Sequence, residues 1–151
     1  MIRCCLIMLL TFSNFAQAAE KFIIPPKHIV AIAKSLAYKD FPKTLDILAI
    51  CRVESAYKIN AVNPETGSVG PSRGVMQVQN GDMELYRNMH QGVGLLREYY
   101  VRLGSKQAAV SAYNIGIGSY RRGKAKISAK IYYSKFVKRR RELVRYYGNN
   151  L

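Results

Sequence analysis

The sequence predicts an all-α domain on three observations. Apolar residues recur at three- and four-residue spacing through most of the chain after Pro26. The breaks in that spacing fall where Pro and Gly accumulate, at Phe41-Pro42, Gly104, Gly116 and Gly118. No internal repeat, heptad run or second long apolar segment follows the one at the N-terminus.

That N-terminal segment has one positive charge at Arg3, an apolar stretch from Cys4 to Phe12, and small residues at Ala16 and Ala18. This is the build of a secretory signal peptide, with cleavage expected after Ala18 and a periplasmic destination. The apolar stretch is shorter than the ~20 residues of a spanning helix, so no permanent membrane anchor is expected, uncleaved anchoring being the alternative. Residues 19–151 then form one domain, large enough for a single core. Of the three cysteines, Cys4 and Cys5 lie in the leader, so Cys51 has no intrachain partner and reads as a small buried apolar side chain.

A first helix begins at Pro26, with Ile29, Ile32, Ala33 and Leu36 on one face, and stops at Phe41-Pro42. A second covers about 44–55 and places Ile47, Ile50, Cys51 and Glu54 on one stripe. From Ala56 to Gly81 the period stops and Asn, Gly and Pro accumulate. A stretch of that length is long for a plain connection, and is expected to be a loop facing substrate. Further helices are expected over about 83–103, 105–114 and 128–147, the last carrying Ile131, Phe136, Leu143 and Val144 among many basic residues.

Without the leader the chain holds 23 Lys and Arg against 9 Asp and Glu, a formal charge of +14. Residues 119–151 contribute 11 of those cations and a single acid, Glu142. Such a surface favours polyanions: nucleic acid, an anionic membrane or a carboxylate-rich wall polymer. The export signal counts most against nucleic acid. His28 and His90 are isolated from Cys and carboxylates, and Gly116-x-Gly118 lacks a third glycine and a preceding strand, so neither metal nor nucleotide cofactor is expected.

Glu54 is the residue with chemistry to explain. A carboxyl on an apolar stripe is desolvated when ionised, which raises its pKa from about 4.3 toward the ~6 of a general acid. Such a group can protonate a glycosidic oxygen; a solvated Glu at a helix end is the plainer alternative. Gly74-Val75-Met76-Gln77 offers a turn glycine, an apolar pair and an amide for sugar hydroxyls, or else a buried strand-like segment. Ala112-Tyr113-Asn114-Ile115-Gly116 sets a phenol and an amide at a helix end, beside a cleft or in the core.

Taken in order, Glu54-Ser55, Gly74-x-Met76-Gln77 and Ala112-Tyr113-Asn114-x-Gly116, with Asn88 to Val93 between them, resemble the lysozyme-like lytic transglycosylase (SLT) family over roughly residues 23–118. The resemblance implies a compact, goose-type-lysozyme-like helical domain with a long active-site loop, acting on peptidoglycan. It implies that Glu54 is the catalytic acid, protonating the leaving oxygen between N-acetylmuramic acid and N-acetylglucosamine and then deprotonating the muramic C6 hydroxyl, whose attack gives a 1,6-anhydro product. Tyr113 matches a tyrosine beside that acid, Gln77 and Asn114 match cleft positions, Met76 lies in the middle motif, and Ser68 matches a serine near the acetamido group. A single acid departs from the usual glycosidase pair, and Glu65, Asp82, Glu84 and Glu98 are the candidates for a second. The expected partners are glycan strands and components of a secretion, conjugation or pilus apparatus. A hydrolytic lysozyme with the same site and a non-catalytic peptidoglycan- or polyanion-binding module are the alternatives.

Overall fold

One helix with almost no exposed side organises the molecule. The computed structural model describes residues 21–64, 70–148 and 151; the leader and Ser68 lie outside them. Ten of the twelve residues of α2 (Thr44–Ser55) are buried, Ile47, Leu48, Ala49, Ile50 and Cys51 completely. The sequence stripe at Ile47, Ile50, Cys51 and Glu54 is therefore one side of a helix that is apolar nearly all round, and such a helix must be enclosed by others.

The enclosure comes from both sides of the chain. α1 (Lys27–Leu36) lays Ile29 and Ala33 on α2. α3 (Leu85–Leu103) supplies Met89, Val93 and Leu96, α4 (Lys106–Ile115) supplies Ala109 and Val110, and α6 (Lys126–Tyr147) supplies Tyr132, Phe136 and Leu143. A short α5 (Ile117–Arg121) joins α4 to α6 and was not expected from the sequence, because five residues are too few to show a period. Among the described residues the fold is thus mostly helical, as expected.

α6 runs antiparallel to α2 and is held at two points. Arg140 Nε donates to Asp46 Oδ1 at 2.6 Å, and the Tyr132 hydroxyl donates to Glu54. The two partners are eight residues apart on each helix, about 12 Å of axial rise, so both contacts fall on one seam. Asp46 is 2 % exposed and also accepts from the Lys43 backbone N–H at 3.0 Å, closing the first turn of α2. A buried carboxylate satisfied from two elements fixes the register of α6.

Within the 56–81 loop the chain forms a small antiparallel sheet, β1 (Val62–Asn63), β2 (Ser72–Arg73) and β3 (Val78–Gln79), in that spatial order. Two-residue strands leave no alternation in a sequence, which is why the segment reads as loop. The β2–β3 turn is fastened to α3 by Asn88, which is fully buried. Its Oδ1 accepts from Met76 N–H at 2.9 Å, and its Nδ2 donates to the carbonyls of Arg73 and Asp82 at 2.8 and 2.9 Å. Gly74, at φ +75°, is required there, because a Cβ would fall 2.3 Å from the Asn88 side chain.

Candidate active site

Glu54 stands on the last turn of α2, where the chain must leave the core abruptly. Ala56 and Tyr57 both take left-handed conformations, φ 54° and 68°, a geometry that costs non-glycine residues about 1 kcal/mol or more each. The Ser55 hydroxyl donates to the Val75 carbonyl at 2.8 Å, tying the helix end to the β2–β3 turn. The candidate acid is thereby placed against the Gly74–Gln77 segment by local bonds on both sides.

Two tyrosines complete its surroundings. Tyr132, buried on α6, donates its hydroxyl to Glu54 Oε1. Tyr113, on the last turn of α4, donates to the Met76 carbonyl at 2.8 Å, so its ring is braced between α4 and the turn. α3 admits this brace only because position 92 is glycine: a Cβ there would meet Met76 Sδ at 2.7 Å and the Tyr113 oxygen at 2.8 Å. Burial, with the nearby Glu54 charge added, pushes both phenols well above their ordinary range, so they stay protonated as donors.

Burial also raises Glu54 to about 7, against the opposing effects of the bond from Tyr132 and the charge of Lys135. A carboxyl at that value holds a proton in a substantial fraction of molecules at neutral pH and can donate it. One turn earlier, burial raises the Cys51 thiol, which is enclosed and inert.

The cleft has two branches that share Glu54, Asn63 and Gln77. The larger, about 1020 Å³, runs along α6; the smaller, about 600 Å³, runs toward Tyr113, Asn114 and Gly116. Gln77 sits between them at φ +48°, its amide donating to the carbonyls of Ala61 and Gly74 at 3.0 and 2.9 Å. Of the residues singled out in the sequence, Glu54, Gln77, Tyr113 and Asn114 are thus brought to one cleft. Met76 is not: its side chain is fully buried in the core and lines neither branch, and what it offers the site is the carbonyl that holds Tyr113.

Sequence reasoning missed Tyr132. Of the four apolar residues singled out on α6, Phe136 and Leu143 are buried beside Ala129 and Tyr132, and Val144 packs against the core, whereas Ile131 is 52 % exposed. The signal that could have found it is the run at 129, 132, 136 and 143, which puts a phenol on the core face.

Glu54 is the sole carboxylate among the described residues that line either branch. Asp82 accepts from Glu84 N–H, Glu84 caps α3 through the N–H groups of Tyr86 and Arg87, and Glu98 pairs with Arg102 at 2.6 Å. Glu65 lies outside the described residues. No group of three His, Cys, Asp or Glu able to hold a metal occurs among the described residues.

Comparison with curated proteins gives no significant match, and comparison with solved structures gives none either. A family model described as Transglycosylase SLT domain matches residues 31–135, from α1 past Gly118 into α6, so that Glu54, Gln77, Tyr113 and Tyr132 all lie inside it. On that match, over more than half of its length, the chain belongs to the transglycosylase SLT domain family of lysozyme-like enzymes that break down peptidoglycan.

Proposed function

We propose that the protein is a lytic transglycosylase cleaving the β-1,4 bond between N-acetylmuramic acid and N-acetylglucosamine, with Glu54 as its general acid and base. The observation that carries this reading is the Glu54 carboxyl, raised to about 7, at the junction of the cleft branches and the one carboxyl among the described residues that line them. The Glu54 proton passes to the glycosidic oxygen as the bond from muramic C1 to that oxygen breaks, and the electron pair leaves with the oxygen. The resulting carboxylate, stabilised by the Tyr132 hydroxyl, then takes the proton of the muramic C6 hydroxyl, whose oxygen bonds to C1. The product is a 1,6-anhydro sugar, and Glu54 ends protonated as it began. Tyr113 and Gln77 border the reacting sugar as braced walls.

We extend the proposal to place and purpose: the leader directs the protein to the periplasm, where it opens the wall locally for an envelope-spanning secretion, conjugation or pilus apparatus. Intact assembly of such an apparatus after deletion of the gene would overturn that extension. The chemistry is tested by mass spectrometry of the soluble products from purified peptidoglycan. Anhydro-muropeptides are expected from the wild type, with Glu54→Gln slower by about 10² to 10⁴. Hydrated reducing ends would identify water as the acceptor and make the enzyme a lysozyme; strand binding without cleavage would favour a binding module.

A further inference from the structure

The larger branch of the cleft differs from the smaller in charge. One wall is a single face of α6, with Lys130, Ser134 and Lys138 one helical turn apart and Ile131 and Lys135 beside them. Lys58, just after α2, lines the same branch. Against these cations the described residues of the branch lining include one acid, Glu54 itself. Arg139, on the same wall, is engaged with Glu142 at 3.0 Å. Lys58, Lys130 and Lys135 are exposed and pair with no carboxylate among the described residues. Lys130 and Lys138 are about 12 Å apart along the axis, which suits an extended ligand bearing several anionic groups better than a point anion.

We propose that this branch is a subsite for the carboxylates of the stem peptides carried by the glycan, so that peptide-substituted strands are preferred to bare ones. The inference rests on the proposed function for the identity of the polymer. A strand seated with its scissile bond at Glu54 has a muramic lactyl group at the junction of the branches, and a peptide leaving that group enters the basic one. Its free carboxylates then meet a row of ammonium groups, each contact weak by itself and several together selective.

The test compares glycan strands with their peptides intact against the same strands stripped by an amidase. Binding to the Glu54→Gln protein and cleavage by the wild type are both measured. Intact strands are expected to bind about fivefold more tightly at low salt. Lys58→Gln combined with Lys130→Gln should abolish that preference, and Lys34→Gln combined with Lys124→Gln, which lie outside the cleft lining, should keep it. Equal binding of the two polymers, or equal loss in the off-cleft variant, would overturn the subsite. Displacement of the strands by a duplex DNA oligomer of equal charge would assign the wall to nucleic acid and also overturn it. Absence of cleavage by the wild type, with the binding preference and its loss intact, would sink the catalytic reading alone.

Discussion

At Glu54 the same burial that suits catalysis works against stability, and the sign can be followed with pH. The folded value is about 7 against 4.5 for the free side chain, so between these values the folded state binds more protons than the unfolded one. The stability penalty is therefore absent below the unfolded value, grows through the window from 4.5 to 7, and is complete above it, at about 3 kcal/mol. Glu54→Gln, which cannot ionise, should raise the thermal midpoint at pH 8 and leave it nearly unchanged at pH 4, measured by calorimetry. Tyr132 has the opposite influence on the same group, because its donated bond favours the carboxylate. Activity that needs the protonated acid falls as pH rises through about 7, and Tyr132→Phe should move that basic limb to higher pH while lowering kcat. A limb that stays in place in Tyr132→Phe would show that the phenol does not bear on the acid in solution.

The β2–β3 turn buries Val75 and Met76 in the core and is fastened to α3 by polar bonds that converge on Asn88. Asn88→Ala removes all three and leaves the Met76 N–H buried without an acceptor, at a cost of about 3 kcal/mol. Denaturant unfolding should show that loss. Because Gln77 is the last residue of the turn, kcat should fall as well, with the helical signal retained. This element marks the limit of what the sequence displays. α2, α3 and α4 could be read within two residues at each end, whereas α1 stops at Leu36, short of the Phe41-Pro42 break expected to end it. The sheet could not, since its strands are two residues long and its anchor, Asn88, looks like any polar residue on a helix until the chain returns to meet it. Glu54 was legible because it lies on the apolar stripe of α2. Tyr132 was not, because α6 carries so many cations that its buried stripe can be phased two ways. Met76 was over-read: a motif position beside a cleft can serve through its carbonyl alone.

Across the whole molecule, the position of α6 decides whether there is an acid–phenol pair and a basic wall at all. A turn of low sequence signal, residues 122–125, leads into it, and its register on α2 depends on the contacts Asp46–Arg140 and Glu54–Tyr132. Asp46 is almost completely enclosed, whereas the Arg140 side chain is 38 % exposed, so the pair lies between the buried and surface cases. Arg140→Ala leaves the carboxylate the bond from the Lys43 N–H at 3.0 Å but not its cation, and should cost about 2 kcal/mol. A double-mutant cycle with Asp46→Ala should return a coupling of about 1 kcal/mol or more. Sites about 12 Å apart are ordinarily additive, but these two contacts share one rigid helix on each side. Loss of the Arg140 contact lets α6 slide or tilt along α2, which lengthens the Tyr132 bond to Glu54 from a distance. Arg140→Ala should accordingly move the basic limb of the pH–rate profile upward, in the direction of Tyr132→Phe, although Arg140 lines neither branch of the cleft. A stability loss with an unmoved limb would mean that the core residues Phe136 and Leu143 hold the register of α6 without the ion pair.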